Sequence, residues 1–367
     1  MEIILGTLFV LLGGFANGSF YIPYKKVKNW SWEVYWIVGG IFSWIISPWV
    51  FSFFTVPNLS EVFQEATFKT LVKPFVFGIL WGIGGLTFGL SMRYLGVALG
   101  MSIALGLTLV FGALLPSILV SIYPSFFSNL FPDTVSFGEM ISTTSGLVTL
   151  LGVVICIIGI AINGKAGIMK DKEVSEELKK ESIKDFDIKK GILVAIFSGL
   201  MSAAFAMGVA AGKPLAEITA SKGTNPVFQN NPSFILIMFG GFLVNLFWCL
   251  YLQIKNITFK DFSKPPLLNN YAFSALAGIL WYLQMFFYGM GESILSGVAS
   301  WSLLMASSII FSNMWGIITK EWQGVSKNTM RTLIIGLIIL ISSTIVFGIG
   351  KGLKNKENIK IEQTVLK

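Results

Sequence analysis

The stretch Gly78-Ile79-Leu80-Trp81 returns in the second half of the chain as Gly278-Ile279-Leu280-Trp281. At the same offset Gly89, Leu95 and Ser102 match Gly289, Leu295 and Ser302. Working outward, Gly39-Gly40 parallels Gly240-Gly241, and Gly14 and Phe20 echo Gly199 and Phe205. Gly152 and Gly164 align with Gly336 and Gly348. One four-residue identity in an apolar chain is weak. Four pairs of segments in the same order point to a duplicated unit.

The unit is built from membrane spans. Apolar residues make up 54% of the 367 residues and charged residues 13%, about half the ~25% charge of a soluble domain. A polar surface cannot be built from so little charge, and disorder, collagen and coiled coil are excluded with it. A bilayer core needs about 20 apolar residues per helix. Such runs fall near 3–23, 34–55, 74–91, 97–122, 145–163, 191–210, 233–252, 271–290, 295–317 and 331–350. The first is read as a retained span, since it has no basic leader region and no small-residue cleavage motif before Tyr21.

Ten spans divide five and five. Five is odd, so the second half enters the membrane from the opposite side. The expected fold is an all-α membrane protein of ten transmembrane helices, arranged as two five-helix inverted repeats. The first repeat covers 1–164, a charged cytoplasmic linker 165–190, the second repeat 191–350 and a polar C-terminal tail 351–367. Inverted repeats of this kind rock around a midplane site and expose it alternately to the two sides. The linker, with eight Lys and seven acids, is nearly neutral and reads as a solvated connector.

Eighteen of the 27 Lys and Arg fall in the loops opposite the N-terminus, eight of them in the linker. The positive-inside rule therefore places the linker inside and both termini outside. The five lysines of the tail run against this.

Histidine is absent, and the two cysteines, Cys156 and Cys249, lie in separate apolar runs. No metal or haem site is expected, and no cofactor. Gly159-Ile-Ala-Ile-Asn-Gly164-Lys165 has phosphate-loop spacing but lacks the next Ser/Thr and ends an apolar helix. No nucleotide-driven domain and no nucleic-acid partner is expected, so transport is secondary or facilitated. The partners are a small solute and the lipid bilayer.

Polar groups inside spans are costly and mark function. Glu292, between the eighth and ninth spans, reads either as a proton or cation carrier or as an interfacial cap. Glu33 reads either as a second coupling acid or as a first-turn acid favoured by the helix dipole. Asn17 and Tyr21 are one turn apart in the first span, as are Gln284 and Tyr288 in the eighth. Trp81, Trp301 and Asn313 complete the set. Aromatic faces stack on sugar C–H surfaces, while amides and phenols bond hydroxyls. The same residues would also serve an interfacial belt or interhelical hydrogen bonds. Lys25, Lys26, Arg93 and Lys213 read as mouth or gate cations, or as side chains snorkelling to headgroups.

The run Phe20-Tyr21-Ile22-Pro23-Tyr24-Lys25-Lys26-Val27-Lys28-Asn29-Trp30-Ser31-Trp32-Glu33 closely resembles the L-rhamnose–proton symporter family of the drug/metabolite transporter superfamily. The likeness continues through Val38-Gly39-Gly40, Trp81-Gly82-Ile83-Gly84, Met92-Arg93-Tyr94-Leu95-Gly96, Lys213-Pro214, Trp281-Tyr282-Leu283-Gln284, Ser300-Trp301 and Lys320-Glu321-Trp322. The resemblance implies the drug/metabolite transporter fold and a bacterial inner-membrane permease importing L-rhamnose with protons. Against the family pattern, Ser293–Ser300 is short and carries no His or Asp, which leaves Glu292 as the coupling candidate. The alternatives on the same scaffold are an exporter or exchanger of another metabolite, and sodium-coupled sugar uptake. An enzyme is not expected.

Overall fold

The computed structural model describes residues 2–95, 97–173, 188–295, 297–320 and 322–365, and every regular element among them is helical. Ten helices are long and apolar enough to cross a bilayer: α1 (Glu2–Tyr24), α2 (Trp32–Thr55), α3 (Phe68–Ser91), α4 (Ile103–Ile122), α5 (Thr144–Lys170), α6 (Lys189–Ser221), α7 (Pro226–Asn256), α8 (Leu267–Glu292), α9 (Gly297–Ile318) and α10 (Lys327–Glu357). Each expected run falls on one of them. In hydrocarbon every backbone N–H and C=O must find its partner within the chain, which a helix provides along its own length. The chain is a multi-pass membrane protein.

Residues 174–187, the greater part of the expected linker, lie outside the described residues, as do Ser296 and Glu321. On either side the helices run on, one from Thr144 to Glu173 and the next from Ile188. The expected tail is helical as far as it is described, because α10 belongs to one helix from Lys327 to Val365. Within α2 a π-helical turn, Ile41–Ile46, interrupts the α-helix and buries Ser43 and Trp44. Such wider turns are rare and recur at functional sites.

Helix contacts cross between the halves. α1 packs on α8 and α9, while α6 packs on α3 and α4; α2 lies on α8, and α7 on α3; α5 pairs with α10. The glycines of the repeated stretch explain two of these approaches. A Cβ on Gly278 would lie 2.1 Å from the Gly39 carbonyl oxygen, and one on Gly78 would lie 2.1 Å from the Ile237 carbonyl oxygen. Small residues of this kind let backbones touch where lipid offers no hydrophobic drive.

The bundle is tied at its ends by loops from opposite halves. Lys28 and Asn270 exchange two hydrogen bonds, N–H to Oδ1 at 3.0 Å and Nδ2 to carbonyl oxygen at 2.8 Å. The Trp30 indole donates to the Lys264 carbonyl at 3.0 Å, and the Ser31 N–H donates to Asp261 Oδ2 at 2.9 Å. Elsewhere Asn58 donates to the Lys222 carbonyl at 3.0 Å, and the Lys222 ammonium sits 2.7 Å from Glu65. The α5–α10 pair is capped reciprocally. Glu173 accepts from the N–H and hydroxyl of Ser326 and from Thr329, each at 2.6 Å, at the start of α10. Glu357 accepts from the N–H and hydroxyl of Ser145, at 3.2 and 2.5 Å, at the start of α5.

Asp261 gives the first tie a pH dependence. The Lys264 ammonium, 2.6 Å away, and the Ser31 N–H hold its carboxyl below the usual carboxylate range. A group with a lowered folded-state pKa stabilises above its unfolded value, and that stability is lost as pH falls through the folded value. The Ser31 amide is expected to lose hydrogen-exchange protection below about pH 4 in the wild type, and to lack it already at neutral pH in Asp261→Asn. Equal protection in both proteins at neutral pH would contradict this.

Candidate functional site

A column of aromatic rings runs through the bundle. It starts where α2 begins, with Trp32 stacked on Trp36 at 5.2 Å, and continues from Trp36 to Trp44 at 5.9 Å. Trp44 meets Trp81 at 6.2 Å and Trp281 at 5.9 Å, and these two meet each other at 5.3 Å. Trp81 contacts Phe205 at 5.7 Å, and Phe205 stacks on Trp301 with an interplanar angle of 13°. Tyr288 closes on Trp301 edge to face at 5.6 Å. One helical turn beyond Tyr288 lies Glu292. The column thus has the Glu33 turn near one end and Glu292 near the other, and α2, α3, α6, α8 and α9 all contribute to it.

The helices that form this wall also bury polar atoms, several without a protein partner. Tyr282 OH, Gln284 Oε1, Trp44 Nε1 and Ser43 Oγ are buried and unbonded. A buried polar group left unpaired costs free energy of order 1–3 kcal/mol, so an accumulation of such atoms beside aromatic faces is what a site for a hydroxylated ligand requires. The Gln284 amide donates only a long contact, 3.6 Å, to Met285 Sδ.

The expected residues divide between this wall and its margins. Trp81, Gln284, Tyr288 and Trp301 are all buried; Trp81 and Tyr288 are joined through Phe205 and Trp301, and Gln284 lies one turn from Tyr288 on α8. Asn17 is turned to α9, where its amide donates to the Ser308 hydroxyl at 2.8 Å. Tyr21 is 44% exposed and packs on Phe20 and Tyr24. The Asn313 amide bonds its own helix, donating to the Ile309 carbonyl at 2.9 Å. Lys26 lies 5.4 Å over the Phe273 ring, Lys25 is exposed, and Lys213 stands 3.8 Å from Asp133. The side chain of Arg93 is outside the described residues.

The two carboxylates have different surroundings. Glu292, partly buried at the end of α8, accepts from the Asn230 amide of α7 at 2.7 Å. Lys213 and Lys351 supply positive charge to its neighbourhood, and the Lys351 ammonium donates to the Leu295 carbonyl. Glu33 is 4% exposed and bonded through one carboxylate oxygen: Oε1 accepts from Asn256 at 3.0 Å and from Thr258 at 2.8 Å. Its carbonyl accepts from Gln253.

The candidate set read from the sequence left out Trp44, Trp281, Phe205, Tyr282 and Asn230. Trp281 and Tyr282 stand beside Gln284 and carried the signal of an intramembrane polar-aromatic cluster. Phe205 entered only as the repeat match of Phe20 and carried no sign of a site, being one phenylalanine in an apolar run.

Trp301 is the joint of the wall. Its indole N–H donates to the Thr108 carbonyl at 3.2 Å, tying α9 to α4. Trp301→Phe keeps a ring against Phe205 and removes the bond, so its unfolding free energy should fall by about 1 kcal/mol. Trp301→Ala should lose about 3–5 kcal/mol. Thermal unfolding in detergent measures both, and equal losses would rule out the stack as the larger contribution.

Among the described residues, ten apolar helices around a buried polar-aromatic wall define a multi-pass helical membrane protein, with that wall as its candidate site. The model of the L-rhamnose-proton symport protein (RhaT) family matches residues 1–353, and the chain belongs to that family. It is 36% identical over 356 residues to proteins named L-rhamnose-proton symporter from Yersinia pestis (strain Pestoides F) and from Shigella dysenteriae serotype 1 (strain Sd197). Each alignment covers 95% of this chain and 98% of the relative. The family and these relatives are symporters, not enzymes.

Proposed function

We propose that this protein is a secondary carrier of the bacterial inner membrane that imports L-rhamnose with protons. The observation that carries the reading is the near full-length match to proteins named for that activity. The polar-aromatic wall supports it. A 6-deoxy sugar carries a methyl group and C–H faces suited to Trp81, Trp301 and Tyr288, and hydroxyls suited to Gln284 and Tyr282, while Asn17 is held by Ser308 at the margin. Tyr21 and Asn313 lie on α1 and α9, at the margin of this path.

The transport cycle is alternating access between two five-helix inverted repeats of the drug/metabolite transporter fold. Exchanging α1–α5 with α6–α10 maps the helix contacts onto one another: α1 on α8 becomes α6 on α3, and α2 on α8 becomes α7 on α3. That exchange supports the repeat. Both termini lie outside, with Lys25, Lys26 and Arg93 around the cytoplasmic mouth and Lys213 at the outer one. Glu292 carries the coupling proton. Glu33, already bonded by Asn256 and Thr258, serves the start of α2 in place of a second coupling role.

Proteoliposome uptake of labelled L-rhamnose tests this reading. An inward proton gradient should drive accumulation, and sugar entry should alkalinise the outer medium. Entry with no pH change would overturn proton coupling, and no entry of L-rhamnose would overturn the substrate.

A further inference from the structure

A groove of about 540 Å³ opens between α4, α5 and α6, away from the aromatic column. Its walls are apolar, with Ile103 and Val110 from α4, Ile157 and Ile160 from α5, and Ile196 from α6. Gly106 also lines it, and a Cβ added there would meet only Ile160, at 3.9 Å. The groove is deep at this point because no side chain fills it. Among the described residues no hydroxyl or amide side chain lines the groove, a lining unsuited to a sugar.

Among the described residues its one charged lining group is Lys165, at the end where α5 leaves the bundle and α6 enters. Lys189 shares that end. It precedes Ile192 by three residues and Ile196 by seven, a spacing that puts all three on one face of α6, and both isoleucines line the groove. Both lysines are exposed. The neighbouring face of α6 also turns outward, with Leu193 67% and Phe197 45% exposed, the pattern of a surface covered by lipid.

The groove is therefore apolar along its length, cationic at one end and open to the bilayer. Acyl chains match the first property and a headgroup phosphate matches the second. We propose that the groove between α4, α5 and α6 binds one anionic phospholipid, its acyl chain along Ile103, Gly106 and Ile157 and its phosphate held by Lys165 and Lys189.

Native mass spectrometry of the full-length protein in detergent tests this, with titrations of phosphatidylglycerol, of phosphatidylcholine with the same chains, and of soluble glycerol phosphate. Wild type should retain one phosphatidylglycerol about tenfold more strongly than phosphatidylcholine. Gly106→Phe, which fills open space, should lose that lipid. The Lys165→Ala/Lys189→Ala protein should keep a lipid but lose the preference, and it carries the test alone if Gly106→Phe does not fold. Equal retention of the two lipids by wild type would overturn the proposal. So would unchanged retention in both variants, or glycerol phosphate binding as strongly as phosphatidylglycerol. The readout is lipid retention, so it stands or falls separately from sugar transport.

Discussion

Glu292→Gln is expected to abolish uphill L-rhamnose accumulation while sparing exchange of sugar across the membrane. Glutamine keeps the length of the side chain and an oxygen able to accept from the Asn230 amide, now 2.7 Å from Oε2. What it removes is a carboxyl able to take up a proton and a negative charge near Lys213 and Lys351. A carboxylate within a span is costly unless a partner or a function retains it, and one amide bond leaves most of its acceptor capacity unused. In proteoliposomes the mutant should equilibrate labelled sugar under a proton gradient without concentrating it. Counterflow against preloaded sugar should continue. Accumulation at the wild-type level would take Glu292 out of the coupling mechanism, and loss of counterflow as well would make it a sugar ligand. Asn230→Ala is the companion variant, since it frees the carboxylate without removing it. It should lower the accumulation rate and leave the final gradient intact.

The second large effect is structural. Gly278→Ala should destabilise the protein by several kcal/mol, because the new methyl would lie 2.1 Å from the Gly39 carbonyl oxygen and overpacking of a rigid contact costs about 1–3 kcal/mol or more. The obstacle is backbone, so no change of rotamer relieves it, and α2 must move off α8. Gly78→Ala meets the Ile237 carbonyl oxygen at the same 2.1 Å and should behave alike. Gly85→Ala is the control. It lies on α3 with nothing within 4 Å of its added Cβ, and alanine is favoured over glycine in a helix by about 1 kcal/mol. Thermal unfolding in detergent should therefore separate Gly85→Ala, neutral or stabilised, from the other two. Gly278→Ala unfolding at the wild-type temperature would mean that the α2–α8 contact is looser than described.

The ten helices were legible in the sequence because bilayer thickness writes itself into the length of apolar runs. Their neighbours were less so. Hydropathy gives no reason for Ser31 to meet Asp261, since each looks like an ordinary loop residue until the two loops are folded together. Trp81, Tyr288 and Trp301 stood out as aromatic side chains near polar ones within spans. Phe205 did not, although it touches Trp81, Tyr288 and Trp301, because its place depends on three helices far apart in the chain. Asn230 was hidden for a related reason. In Gln229-Asn230-Asn231 it reads as loop polarity, and only the approach of α7 to α8 brings it to Glu292. Asn17 and Tyr21 show the reverse. A one-turn spacing suggested a shared ligand, but Asn17 turns to Ser308 while Tyr21 is 44% exposed.

The π-helical turn at Ile41–Ile46 has no counterpart in α7, which is α-helical from Asn231 to Asn256. If two halves of a carrier were perfect images, the inward-facing and outward-facing states would be degenerate in energy, and an unloaded carrier would occupy them equally. On the proposed two-repeat cycle, one wide turn in α2, placed at Trp44 against Trp81 and Trp281, would lift that degeneracy. The resting preference of the empty carrier would then be a built-in bias, adjustable by shortening a single helical turn.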